Sequence, residues 1–203
     1  GHQRDRAQVF PLFSSARTFA SVTKSVETIT LGSQVADVMR RAISLMRMGR
    51  PGPVMVEIPA DVVNEEVPDA LIDAYRAVKV TAAGANARDV EVAARVLRDA
   101  RRPVIHAGQG VLYSEASNDL LELAELLQAP VMTTMEGKSA FPEDHPLALG
   151  TGGPAVTGQN LHYLREADVV FGIGCSFTRH GMAASIPAGK TLIHATNDER
   201  DLN

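Results

Sequence analysis

The chain has 203 residues, 45% of them hydrophobic and 22% charged, with a formal net charge of -4. That length holds one complete α/β domain and part of another. The charge excludes the basic stripe of a nucleic-acid binder, no apolar run approaches the ~20 residues that span a bilayer, and nothing reads as a secretory leader. Cys175 is the single cysteine, which rules out an internal disulfide framework or a cysteine-built metal site and makes a reducing cytoplasm the expected compartment.

The first clear element is a helix over Ser33 to Met48. Val35, Val38, Met39, Ala42, Ile43 and Met46 recur at helical spacing on one face, with Ser33 placed as N-cap and Gly49 as stop. Arg50-Pro51-Gly52-Pro53 then leads into a buried strand, Val54 to Ile58, closed by Pro59. Most of its parent sheet is expected to be missing, so this segment is expected to pack outside the usual domain plan or to order poorly. Val62 to Gly84, polar and proline-punctuated, reads as a linker. Asn86 caps the next helix, with Val90, Ala93, Ala94 and Leu97 turned inward and Asp89 three residues after the cap.

From there strands and helices alternate. Arg101-Arg102-Pro103 precedes a strand at Val104 to Ala107, and a helix from Glu115 to Leu127 turns Leu120, Leu123, Ala124 and Leu127 inward. A strand at Val131 to Thr133, a helix from about Pro154 to Glu166, and strands at Val169 to Ile173 and Thr191 to His194 follow. Short β-rich apolar runs separated by helical patterns specify an α/β fold: a doubly wound parallel sheet with helices on both faces, preceded by a partial α/β domain.

Ligands of open α/β sheets bind at the C-terminal strand ends, and three of those ends carry glycines. Gly108-Gln109-Gly110 follows the Val104 strand, Thr151-Gly152-Gly153 precedes a helix whose free N–H groups suit a phosphate, and Gly172-Ile173-Gly174 closes the Val169 strand. A lone Gly-x-Gly fits a ligand-free tight turn equally well, and it is the convergence of three ends that points to a crevice. His106, inside a strand, reads as a core histidine rather than a base. Cys175 beside Ser176 and near His180 lacks an orienting third group. No catalytic residue and no metal ligand is assigned.

The order of these segments carries a family resemblance. Arg50 to Asp61, Arg102 to Ile105 with its glycines, Ala129-Pro130-Val131-Met132-Thr133-Thr134, Gly137, Phe141 to Pro146, Leu149 to Gly153, Ala167 to Gly174 and His194 to Asp198 together resemble thiamine-diphosphate-dependent enzymes of the acetolactate synthase type. The resemblance implies residues 1–64 as the C-terminal part of a pyrimidine-binding domain, 65–85 as linker and 86–203 as the central domain. It also implies thiamine diphosphate and magnesium in the parent enzyme, a 2-keto acid substrate, decarboxylase or carboligase chemistry, and a homo-oligomer. The family's activating glutamate and its Gly-Asp-Gly motif do not occur here, so a fragment is expected, inactive alone, whose central domain serves as scaffold and possible nucleotide site.

In the family these loops hold FAD in some members and an ADP-like ligand in others. The implied contacts are Gly108, Gln109, Gly110, Thr134, Gly152, Gly153, Gly174, Ser176, Arg179 and Asp198. Flavin-binding relatives carry an arginine where this chain has Ser176 and an aspartate where it has Thr196, and both departures favour ADP over FAD. Lys24 matches a lysine near the family's substrate channel, and reads equally as a solvated surface lysine. The alternatives are a free-standing NAD- or FAD-binding domain of sirtuin-like or electron-transfer-flavoprotein-like fold, or a non-catalytic nucleotide-binding module.

Overall fold

The computed structural model describes residues 14–77, 79, 84–153, 156–179, 181 and 183–202. Pro154, His180 and part of the expected linker lie outside that set. The chain divides into two compact units, residues 1–82 and 83–203.

The first unit is a βαβ element with a short helix, α1 (Ser15–Phe19), ahead of it. Strand β1 (Ser25–Thr28) runs parallel to β2 (Val54–Glu57), with Ser25 opposite Val54 and Thr28 opposite Glu57. Helix α2 (Val35–Arg47) connects them and buries Val38 and Ala42. The Val54 strand therefore has a partner that its own sequence does not announce, and it is half-buried along its length rather than fully buried.

Ser33 does not cap α2. Residues Gly32–Gln34 form a tighter 3-10 turn ahead of the helix, and the Gln34 side chain turns back to accept from the Thr30 backbone N–H at 3.1 Å and hydroxyl at 3.0 Å. At the other end Gly49, with φ 58°, stops the helix as expected. There Lys24 Nζ donates to the carbonyls of Met48 at 2.5 Å and Arg50 at 2.9 Å, a cation on the negative end of the helix dipole.

Helix α3 (Ala60–Val63) follows β2. Its Val62, 4% exposed, packs with Ile29 and Val38, so this residue belongs to the core of the first unit rather than to a linker. Downstream, the Glu65 carboxylate accepts from the Gly32 N–H at 2.6 Å. Helix α4 (Asp69–Asp73) buries no residue.

The second unit is a five-stranded parallel sheet. Its strands β3 (Pro103–Ala107), β4 (Val131–Thr133), β5 (Ala148–Thr151), β6 (Val169–Ile173) and β7 (Thr191–Ala195) lie in the order β5-β4-β3-β6-β7. Helices α5 (Ala87–Asp99), α6 (Gln109–Tyr113), α7 (Ser117–Leu127) and α8 (Gly158–Glu166) accompany it. Alternation along the strands divides two cores. Ile105, Ala107, Val131, Val169 and Phe171 pack with Leu97 of α5 and Leu120 and Ala124 of α7. Val104, Met132 and Val170 pack with Leu149 and with Leu164 of α8. The inner strands β3, β4 and β6 are buried on both faces, which is why they are continuous apolar runs.

Asp168 pins the opposite edge. Its carboxylate accepts from the backbone of Arg101 at 2.8 Å and Arg102 at 2.9 Å, and its carbonyl accepts from Thr191 N–H at 2.9 Å, tying together the starts of β3, β6 and β7.

The second unit departs from the sequence pattern in three places. Asn86 caps α5 as expected, its side chain accepting from Arg88 N–H at 2.9 Å, but of the expected inward stripe only Leu97 is buried, and Val90 is 51% exposed. Strand β5 was not anticipated. Helix α8 begins at Gly158, capped by Thr157, whose hydroxyl accepts from Asn160 N–H at 3.2 Å, so Gly152 and Gly153 do not lead straight into a helix.

Two outcomes follow for the first unit and its boundary. Val62→Ala should lower the stability of the first unit by about 2 kcal/mol through the cavity it leaves, read by urea denaturation, whereas a linker residue would cost nothing measurable. Trypsin should cut at the exposed Arg76 or at Lys79 before any site within β3–β7, as read by mass spectrometry of the first fragments.

Candidate functional site at the C-terminal edge of the sheet

Because all five strands are parallel, their C-terminal ends share one edge. Gly108 leaves β3, Thr134 leaves β4, Gly152 and Gly153 leave β5, and Gly174 leaves β6. The chain moves outward from β3 to β4 and β5, then returns to the other side of β3 with β6. That reversal is the topological switch point at which such sheets form their crevice, and the Gly108 and Gly174 ends flank it.

At the switch point the two strand exits pack backbone against backbone. A Cβ on Gly108 would overlap the Gly174 carbonyl and come within 2.6 Å of Cys175 Cα. A Cβ on Gly110 would stand 2.6 Å from Gly174 Cα. Gly174 itself has φ +62°, and a Cβ there would meet Val111 N at 2.6 Å, so neither its conformation nor its surroundings admit a side chain. Gly137, which the residue pattern did not single out as a site residue, completes the cluster, since a Cβ there would lie 2.8 Å from the Ala107 carbonyl oxygen.

The N–H groups of Gly108, Gly110, Gly152, Gly174 and Thr134 are engaged within the protein. Gly108 N–H donates to Ile173 O at 2.8 Å, Gly110 N–H to Gly174 O at 2.9 Å, Gly174 N–H to Ala195 O at 2.9 Å and Gly152 N–H to Thr133 O at 2.7 Å. Thr134 donates its own N–H to Ala107 O at 2.8 Å, and its hydroxyl accepts from Gly137 N–H at 2.9 Å. These amides tie neighbouring strand exits together rather than standing open toward a ligand.

Side chains supply what remains. Gln109 and Arg179 are exposed. The Ser176 hydroxyl accepts from Thr178 N–H at 3.3 Å and Thr178 Oγ1 at 2.7 Å, closing a local turn. Asp198, 8% exposed, holds Arg200 through both oxygens, accepting from Nε at 2.9 Å and Nη2 at 2.7 Å, and accepts from Arg200 N–H at 3.1 Å. It caps a one-turn 3-10 helix at Glu199–Asp201.

Next to the crevice lies an aromatic cluster that the sequence did not reveal. Gly172 of β6 stands between His106 of β3 and His194 of β7 in register, and the Phe177 ring occupies the space over Gly172 that a Cβ would need. The ring meets His106 edge-on at 5.9 Å and His194 at 4.8 Å. His106 is 6% exposed, its Nδ1 has no partner among the described residues, and burial pushes its pKa down to about 4. It is a core histidine held neutral, although not a fully satisfied one. Burial likewise pushes the Cys175 thiol up to about 11, which keeps it protonated and unreactive. Asn160 of α8, fully buried, donates to Thr151 O at 3.3 Å and leaves its Oδ1 unpartnered.

Among the described residues no three His, Cys, Asp or Glu side chains gather to hold a metal ion, and the chain has no Gly-Asp-Gly segment. The residues present do not fit thiamine diphosphate with its metal, and no chemical step is assigned to them. No helix of the described residues is long and apolar enough to cross a membrane.

A five-stranded parallel sheet with this switch point defines an open α/β domain. Residues 90–203 match the family model of the thiamine pyrophosphate enzyme central domain, and the chain belongs to that family. It is 39% identical over 167 residues to a probable acetolactate synthase large subunit of Methanocaldococcus jannaschii, covering 79% of this chain and 28% of the relative. It is 36% identical over 176 residues to glyoxylate carboligase of Escherichia coli O157:H7, covering 85% and 30% respectively. Against the acetolactate synthase large subunit of Corynebacterium glutamicum the identity is 31% over 188 residues, 89% of this chain and 29% of the relative. The chain thus spans about 30% of the length of the curated relatives it matches.

The packing sets two expectations. Gly110→Val should destabilise the second unit by about 3 kcal/mol, because the side chain lands on Gly174 backbone that cannot give way, so its urea midpoint should drop even with no ligand present. For His106 the folded pKa lies below the unfolded 6.5, so stability is complete above pH 6.5 and declines as pH falls toward 4, by up to roughly 3 kcal/mol. His106→Leu should remove that component from the pH dependence of the denaturation midpoint.

Proposed function

We propose that the chain is part of a thiamine-diphosphate-dependent enzyme that decarboxylates a 2-keto acid or joins the resulting two-carbon unit to an acceptor. In this reading residues 1–64 are the C-terminal part of the pyrimidine-binding domain, 65–85 the linker and 86–203 the central domain. The parent enzyme works as a homo-oligomer with thiamine diphosphate and magnesium held outside this segment. The observation that carries the reading is the extent of the relationship: alignments to acetolactate synthase and carboligase relatives run over 79% to 91% of this chain, beyond the matched central domain into the first unit.

Within that enzyme the second unit acts chiefly as scaffold. The amides of Gly108, Gly110, Gly152 and Gly174 are committed to neighbouring carbonyls, which favours a structural role for the glycine exits. A nucleotide at this edge therefore relies on the side chains of Gln109, Ser176 and Arg179 rather than on a cradle of free N–H groups. ADP is preferred over FAD, because Ser176 and Thr196 stand where flavin-binding relatives carry charged residues, and Asp198 is occupied by Arg200.

The isolated chain should show no turnover of pyruvate or glyoxylate with thiamine diphosphate and magnesium, while the longer parent enzyme should. Turnover by the isolated chain above a blank would place catalytic groups in this segment and contradict the reading. Calorimetry should give weak binding of ADP, weaker binding of FAD and NAD, and a several-fold loss of ADP affinity in Arg179→Ala at an unchanged thermal midpoint.

A further inference from the structure

The segment that leaves β6 is folded back onto the sheet in an unusual way. Phe177 has φ 51°, and Gly174 ahead of it has φ 62°. A left-handed backbone at a bulky residue is unfavourable, and persists only where the surroundings compensate for it. What compensates here is the seat of the ring, over Gly172 and between the imidazoles of His106 and His194. Among the described residues the ring also packs on the core of Val104, Met132 and Leu164, and the Phe177 N–H donates to the Cys175 sulfur within the segment. His194 Nε2 lies 2.7 Å from the Cys175 carbonyl oxygen, and the hydrogen bonds of Thr178 to Ser176 are internal to the segment.

Beneath the ring the imidazole of His106 is closed off from water, with Nδ1 unpartnered among the described residues. Its surroundings offer a cation little. Met132 of β4 and Gly172 of β6 stand beside it in register, and α8 contributes Leu164 to the same face. The covering segment brings Phe177 and the buried, protonated Cys175, and His194 of β7 stands on the far side of the ring. Asp201 is felt at Cys175 and lies within 3.5 Å of Thr196 Oγ1, whereas burial alone acts on His106. Arg179, the charged residue of the segment, is exposed. A proton on His106 would thus be a poorly hydrated buried charge. Hydrating it requires moving a single aromatic ring whose backbone is already strained, a smaller disruption than separating β3 from β4 and β6.

We propose that Phe177 is an acid-released latch: while His106 is neutral the ring holds residues 175–179 against the sheet, and protonation of His106 lifts that segment off while β3–β7 stay paired. Because the segment starts at Gly174, its release uncovers the crevice at the switch point, whichever ligand the crevice takes. The lifted state also relieves the left-handed conformation at Phe177.

Cys175, the buried first residue of that segment and the single thiol of the chain, reports the release. Its rate of reaction with 4,4′-dithiodipyridine, relative to a small thiol at the same pH, is to be followed from pH 7 to pH 4.5 alongside far-ultraviolet circular dichroism. Shielding of Cys175 should fall at least tenfold across this range with the dichroism unchanged, and His106→Leu should keep it shielded throughout. Constant shielding in the wild type, an equal fall in His106→Leu, or a fall that coincides with loss of dichroism would each overturn the latch. Should His106→Leu not fold, Phe177→Ala decides. It should expose Cys175 already at pH 7 and bring the His106 imidazole, followed by NMR, back to titrate near 6.5, and continued shielding of Cys175 in that variant would overturn the proposal.

Discussion

The second unit depends on one close contact, the backbone of Gly108 and Gly110 lying directly against Gly174. Only three residues without side chains allow two neighbouring strand exits to approach so closely, and the approach lets Gly110 N–H bond to the Gly174 carbonyl and Gly108 N–H to that of Ile173. The register of β3 with β6 is thereby fixed at the end where the sheet reverses direction. The Asp168 carboxylate, accepting from Arg101 and Arg102, fixes the same pair at the opposite end. Between these two clamps the apolar strands bury both faces, and α5, α7 and α8 cover them.

The contact has a functional consequence. In an open α/β sheet the amides at the switch point are the natural partners of a phosphate; here the N–H groups of Gly108 and Gly110 donate to the carbonyls of Ile173 and Gly174 instead. The glycines that most resemble a ligand cradle have become a joint, and the polar capacity left at the edge sits on side chains. The neighbouring elements are consistent with this economy. Asp198 is spent on Arg200 and on capping a turn, and the Ser176 hydroxyl accepts the hydrogen bonds of Thr178.

Strands β3, β4 and β6 were legible in the sequence because burial on two faces makes each a continuous apolar run between breakers, and β7, an exposed edge strand, was legible from its apolar Leu192-Ile193 pair alone. Strand β1 was not, since Ser25-Val26-Glu27-Thr28 is short and polar and is held by pairing with β2 and by the Arg41–Glu27 ion pair at 2.9 Å. Strand β5 was hidden for a related reason: Ala148-Leu149-Gly150-Thr151 lies at the sheet edge with an irregular register against β4. In α5 the apolar periodicity was real, but periodicity specifies a face and not its cover, and Val90 on that face is 51% exposed. The glycines of the crevice were visible as residue types. That they pack on one another depends on the pairing of β3 with β6, some 65 residues apart, which no local pattern encodes. The seat of Phe177 between His106 and His194 is a product of the same register and was equally unreadable.

The account turns on whether the switch-point amides are committed, and native-state hydrogen exchange at Gly108 and Gly110, with and without saturating ADP, measures that directly. Protection of both amides comparable to that of Ile105, unchanged by ADP, is the predicted result. Rapid exchange in the free chain that slows when ADP is added would show that these N–H groups are held open for a ligand, and would contradict the scaffold role.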